Sequence, residues 1–458
     1  VLLIEDVTLI DGTGAAARPS MSVLIEDGRI MRIASSAAIN APDGVQRIDG
    51  RGKWLLPGLI DMHVHVALVG EESLPLWLGA GITTVRDVGG DIAALLPLRD
   101  AIAHGERLGP RVMSYGPMLD GDPPIFAGGF SNLTWINRTV DEGIQAIDRL
   151  LAAGVDGIKL YAGLRPEFVR AMIRRVDGRV PVTGHLSRTW ASEAVDAGIN
   201  CLEHVHATVY QDVAPPSFRH ERERGNGYIP TYWTWLSHGW AAADLDAPYV
   251  RTFVEKLVAH DICLSPTTVL ATGGMATSDA LADPALPVYT TPTMRQRREQ
   301  QAQRMAEVRA RLEAEGRTPA APETLAPGEG ERALAHELAF LRMVHEAGGT
   351  VTPSTDVGAA PNQVPGFSLH QELALFVRAG FSPLETLHAA TGKAARVLRR
   401  PDIGVVAPGK IADLILLDAD PLADIANTRS VSTVIRAGKS YDAQALLAGV
   451  REEFANPR

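Results

Sequence analysis

Short apolar runs recur through the middle of this chain, each bounded by turn residues and separated from the next by a stretch whose apolar positions repeat with a helical period. The strand-like runs fall at 58–63, 82–87, 111–115, 155–160, 180–184, 199–203, 262–266 and 350–355. Strands alternating with helices call for a parallel sheet, and eight such units predict an α/β chain built as a (β/α)8 TIM barrel. The spacing is regular as far as the sixth run and then stretches, which places long insertions near 207–250 and 271–335. The first insertion is rich in aromatics: Tyr228, Tyr232, Trp233, Trp235 and Trp240. In the second, Thr293 to Gly316 is a run of Arg, Gln, Glu and Ala that reads as one solvated helix, and Thr318 to Gly330 reads as a loop.

The two ends carry a different pattern. Residues 1–56 hold strand-like runs and turns but no helical period, with Asp27-Gly28 set between two such runs as a hairpin turn. They bury too little alone to stand as a domain. Residues 403–458 offer matching material at 409–418 and 431–439, so the expectation is one small β-sandwich built from both termini and clasping a barrel over 57–402.

Composition narrows the function classes. The 458 residues carry 44 Lys and Arg against 54 Asp and Glu, a net charge of −10 with both signs interspersed, which argues against a nucleic-acid surface. No apolar run reaches the 18 or so residues that cross a bilayer. Cys201 and Cys263 each sit in an apolar run and read as small core residues rather than a disulfide framework. The chain begins at Val1, so a removed leader would leave no trace; the compartment stays open, cytoplasmic by default.

The first strand ends in His63-Val64-His65. Residues i and i+2 of a strand project to one side, so both imidazoles leave the strand end together, as half of a metal site would require. Other strand ends carry ligand types as well: Lys159 on the fourth, His185 on the fifth, His204 on the sixth and Asp356 on the eighth. A lysine closing an apolar strand is costly to bury unless it is paired, modified or bound. A pairing with Asp156 or with a helix terminus is the plain structural alternative.

With Pro57-Gly58-Leu59-Ile60-Asp61 ahead of the histidines, Gly81 to Asp87, Thr355-Asp356 and Pro408 to Leu414, the chain resembles the amidohydrolase superfamily of metal-dependent hydrolases over nearly its whole length. The resemblance implies a binuclear site: His63, His65 and Asp356 on one divalent cation, His185 and His204 on a second, and Lys159 bridging them as an Nζ-carboxylated lysine. Zinc is the default metal, with manganese or cobalt as alternatives. It further implies attack on an amide or peptide bond by a metal-bridged hydroxide, with Asp356 carrying the proton to the leaving amine.

His370-Gln371-Glu372-Leu373 and the segments at 380–387 and 389–392 are similar to the branch holding Xaa-Pro dipeptidases and imidazolonepropionase-like proteins. That branch implies a dipeptide-like, N-acyl amino acid or aromatic amide substrate. Arg188, Tyr161 and Tyr232 are candidate contacts for a substrate carboxylate, His206 and His370 candidate pocket residues, and Trp233 and Trp235 candidate walls for an apolar group. A cyclic amide hydrolase or lactonase would use the same site; a scaffold that had lost its chemistry would be missing ligands, and all six positions are filled. Assembly into a homo-oligomer is left open.

Overall fold

A computed structural model of the chain describes residues 1–39, 44–125, 133–219, 232–275, 283–314, 324–360 and 362–455. Both termini enter one sheet, with strands in the order Lys439–Asp442, Val431–Arg436, Leu414–Leu417, Trp54–Pro57, Leu2–Leu9, Arg18–Glu26 and Arg29–Ser35, and Gln46–Asp49 alongside Leu2–Leu9. The seam between the two ends is the antiparallel pair of Trp54–Pro57 and Leu414–Leu417. The hairpin turns on Asp27 and Gly28, at φ 48° and 78°, as the Asp-Gly pair predicts.

Leu59–Val64, Ile82–Asp87 and Arg111–Ser114 form a parallel group of three. Ile158–Leu160, Val182–Gly184, Cys201–Glu203, Cys263–Ser265 and Thr350–Val351 pair in parallel in that order. The groups meet at both edges, which closes a (β/α)8 barrel. On one side Met62 N donates to Pro353 O at 3.2 Å and Asp356 N to His63 O at 2.8 Å; on the other Asp156 N donates to Ser114 O at 2.7 Å. The eighth strand is regular only over Thr350–Val351, shorter than its apolar run, because Pro353 has no N–H to give a ladder.

Two short strands stand outside the predicted pattern. Met118–Gly121 and Thr134–Asn137 pair in parallel and extend the sheet from the edge of the fourth barrel strand, where Leu119 pairs with Leu160. Asp120 and Gly121 interrupt any alternation there, so the run has no strand signature.

The solvated helix spans Pro292–Ala314, and its first turns grip the barrel rim. Thr291 Oγ1 donates to Val69 O at 2.6 Å, and Arg297 Nη1 donates to Leu68 O at 3.0 Å and Gly358 O at 2.9 Å. Residues 318–323 of the expected loop, and Tyr228, lie outside the described residues; 324–328 lead into the helix Glu329–Glu346. Cys201 and Cys263 are register partners on adjacent strands, both buried as free thiols. Among the described residues no helix is long and apolar enough to cross a membrane.

Candidate metal centre

His63 and His65 leave the end of Leu59–Val64 on the same side, and the backbone link from Asp356 N to His63 O sets the eighth strand end against them. Ligand-type atoms of His63, His65 and Asp356 all lie within 4.8 Å of one another, and all three residues are buried. Asp356 Oδ1 is 3.1 Å from His65 Nε2 and 3.4 Å from His63 Nε2. His204 joins them with its ring centroid 4.5 Å from that of His63, and His185 lies 4.3 Å beyond His204.

The hydrogen bonds on the far side of each ring settle which nitrogen faces this space. His63 Nδ1 is 2.7 Å from Glu203 Oε2 and His65 Nδ1 is 3.2 Å from Gly89 O, both acceptors, so each Nδ1 donates. His204 Nδ1 is 2.8 Å from Thr267 Oγ1, whose own proton goes to Pro266 O at 2.7 Å, so this Nδ1 also donates. In all three rings the Nε2 lone pair is left for a cation, and the ring plane is fixed. Burial, helped by neighbouring positive charge, holds His63 and His204 well below the usual imidazole range, which keeps them neutral and able to ligate. Burial does the same for His185. At His65 burial is outweighed by the Asp356 and Asp87 carboxylates, which raise it.

Lys159 shares the interior with this group and acts on it through its charge. Its charge is among the causes that disfavour protonation of His63, His185 and His204, and it feels both Glu203 and Asp356. It is fully buried, and among the described residues its Nζ has no hydrogen-bond partner. Asp156 is not its partner: that carboxylate takes Ser114 N at 2.8 Å and Arg99 Nη1 at 3.2 Å. Burial lowers the ammonium to about 8.

Three non-glycine residues with left-handed backbone cluster here: His204 at φ 53°, Thr267 at 52° and Asp356 at 57°. Each costs conformational energy and persists only where surrounding contacts over-determine it. Asp61, also fully buried, supplies one such set of contacts by accepting from His63 N and Thr355 N, both at 3.2 Å, and from Thr355 Oγ1 at 2.7 Å. Burial lifts its carboxyl to about 7. Asp87 accepts from Val66 N at 2.7 Å and Gly89 N at 3.1 Å, shaping the turn that offers Gly89 O to His65. Only glycine fits at 89, where a Cβ would lie 2.7 Å from the His65 ring.

Beneath the histidines the barrel interior is polar. Glu203 Oε1 accepts from Arg86 Nη2 at 2.5 Å and from Thr183 Oγ1, while Arg86 also donates to Met62 O at 2.5 Å and Ser265 Oγ at 3.2 Å. Sequence reasoning passed over Glu203, Arg86, Asp61, Asp87 and Thr267. The available signal was charge inside apolar strands: Glu203 follows Cys201 by two and so faces inward beside it.

Of the candidate substrate contacts, Tyr161 is buried with its ring 5.2 Å from His185, and burial and the Asp356 charge push its phenol well above the usual range. His206 lies 5.7 Å from His204 and carries Trp233 against it at 4.9 Å; burial drops its imidazole to about 3. Tyr232 meets Trp233 edge-on at 5.9 Å, whereas Trp235 turns to Tyr210, 4.2 Å away. Arg188 is buried and donates from Nη1 to Gly163 O at 3.2 Å, in the loop that follows Tyr161. His370 is a correction. Its Nε2 is 2.9 Å from Ala80 O and its Nδ1 2.9 Å from Thr428 Oγ1, so both nitrogens are engaged at the opposite end of the barrel, where Ala80 precedes the second strand.

The description of the Amidohydrolase family matches residues 54–441, and the chain belongs to that family. Imidazolonepropionase from Salinispora tropica is 26% identical over 446 residues, covering 91% of this chain and 92% of that protein. Matches of higher identity to curated deacetylases span only 16% and 15% of those proteins' length. Among solved structures, a bottromycin amidohydrolase superposes with a TM-score of 0.73 at 22% identity, covering 99% of this chain and 90% of that one. A Xaa-Pro dipeptidase with bound methionine in the active site superposes at 0.67 and 21% identity, covering 96% and 99%. At these identities the two structures speak for the fold.

Proposed function

We propose that this chain is a binuclear metal-dependent amidohydrolase that cleaves an amide or peptide bond of a small dipeptide-like or N-acyl amino acid-like substrate. The observation that carries the reading is Lys159: a fully buried amine that finds no hydrogen-bond partner among the described residues, set among three histidines and Asp356. Burial favours its neutral form, the form that adds carbon dioxide. The resulting carbamate would turn an isolated buried amine into an anion with one oxygen for each of two cations. His63, His65 and Asp356 would hold one cation and His185 and His204 the other.

Bound there, divalent cations supply Lewis acidity to a carbonyl and bring the pKa of water from about 15.7 toward 7. The chain's own part is to orient and to move a proton. Asp356, fixed by its backbone bond to His63 O, takes the proton of the attacking water at its carboxylate and passes it to the leaving nitrogen. Tyr161, His206 and Trp233 line the approach, and Trp233 offers a flat apolar face to an aromatic or bulky substrate group. Tyr232 and Arg188 are the remaining candidates for contact with a substrate carboxylate. Residues 1–56 and 403–458 form the flanking β-unit and 57–402 the catalytic barrel in this reading.

The test is a screen of dipeptides, including Xaa-Pro, and N-acyl amino acids against the zinc-loaded protein, with Asp356→Asn as control. Hydrolysis by the parent and none by the control is the expected result. Hydrolysis surviving in Asp356→Asn removes that residue from proton transfer. Opening of cyclic amides with no linear amide cleaved favours the second reading, a cyclic amide hydrolase, to which the full-length similarity to an imidazolonepropionase lends support.

A further inference from the structure

Glu372 belongs to the His370-Gln371-Glu372-Leu373 segment, yet the metal centre does not use it. It is fully buried on the helix Phe367–Arg378, and both its oxygens are committed to the start of the short helix Thr268–Gly274 that follows the seventh barrel strand. Oε1 accepts from Thr268 N at 3.0 Å and Oε2 from Val269 N at 2.7 Å. The residue just before these, Thr267, donates its backbone N–H to Ser354 Oγ at 3.1 Å and stands at φ 52°. A β-branched residue in that region is strained and relaxes unless it is held. Its hydroxyl is the group that fixes the ring of His204.

We propose that Glu372 is a positioning residue for His204, acting through Thr267. The side chain fastens Thr268 and Val269, the fastened helix start keeps its N-cap Thr267 left-handed, and the Thr267 hydroxyl then stays 2.8 Å from His204 Nδ1. The effect falls on one cation of the pair. His63 and His65 take their orientation from Glu203 and Gly89 instead, so the His63, His65 and Asp356 set does not depend on this route. Burial raises both Glu337, on the neighbouring helix, and Glu372, the latter to about 8, and at Glu372 the N–H groups of Val269 and Thr268 work against that rise by donating to its oxygens. The inference rests on the two-cation reading and adds to it a device that serves the His185 and His204 side alone.

The experiment is a calorimetric titration of the full-length, metal-stripped chain with Zn2+, comparing the parent with Glu372→Gln, Thr267→Val and Thr267→Ser. The parent takes two equivalents. Glu372→Gln and Thr267→Val should leave the first equivalent within about threefold and weaken the second by roughly 10- to 100-fold, the range for lost outer-shell partners of metal-bound histidines. Thr267→Ser keeps the hydroxyl and should restore most of the loss, which a merely structural role for the side chain would not do. Should Glu372→Gln fail to fold, the Thr267 pair carries the test. A second equivalent that binds all variants as it binds the parent overturns the inference while leaving the two-cation reading intact. A parent that takes no second equivalent removes both.

Discussion

Glu203 Oε2 lies 2.7 Å from His63 Nδ1 while Oε1 of the same carboxylate lies 2.5 Å from Arg86 Nη2, so one buried acid both orients a metal-type histidine and neutralises a buried guanidinium. Both partners of the ion pair are fully inside the barrel. Removing either member leaves an uncompensated charge away from water.

Glu203→Gln tests that double role. The amide leaves Arg86 without its counter-charge, and the expected cost is about 3–5 kcal/mol in urea unfolding of the metal-free protein. Zinc affinity at the His63 side should fall roughly 10- to 100-fold. A variant with parent stability and parent zinc affinity would show that Glu203 does neither job.

His370 gives a pH dependence of defined sign. Its imidazole is held at about 3 in the folded chain, chiefly by burial, against about 6.5 when unfolded. Below about pH 6.5 the unfolded chain therefore binds a proton that the folded chain refuses, and stability falls as pH drops toward 3, by about 1.4 kcal/mol per unit. Urea unfolding between pH 6 and pH 4 should lose that component of the slope in His370→Gln. Equal slopes in parent and variant would contradict it.

Trp233 should act on selectivity. Trp233→Ala is expected to lower kcat/KM for amides bearing an aromatic group roughly tenfold, the scale of one lost aromatic contact. Amides with a small side chain should change by no more than about twofold. Equal losses on both substrate types would make Trp233 a packing residue only.

Gly274 provides the reverse approach to the same ring. A Cβ there would lie 2.1 Å from the Trp233 indole, so Gly274→Ala must push that ring from its place beside His206. A changed near-ultraviolet circular dichroism band, with selectivity moving as in Trp233→Ala, is the expected pair of results. An unchanged band and unchanged selectivity would mean that the ring position is not set by Gly274.

The parts legible in the chain were those whose chemistry has a fixed spacing. His63-Val64-His65 could be read because strand geometry puts i and i+2 on one side, and Lys159 because a lone cation at the end of an apolar run needs a reason. The barrel followed from apolar runs alternating with helical periods. Glu203 and Arg86 were harder, since an acid beside His204 and an arginine before Asp87 look like ordinary strand-end polarity until the barrel brings their strands together. His370 was misplaced because its motif marks a helix without saying which end of the barrel that residue faces. Met118–Gly121 left no trace because Asp120 and Gly121 turn toward backbone partners rather than toward an alternating apolar face.

The most direct test of the central claim, that Lys159 joins two cations at the mouth of this barrel, is the metal content of the zinc-loaded chain beside that of Lys159→Ala. Two equivalents in the parent and no more than one in the variant is the result this account predicts. Two equivalents in both, or none in the parent, would contradict it.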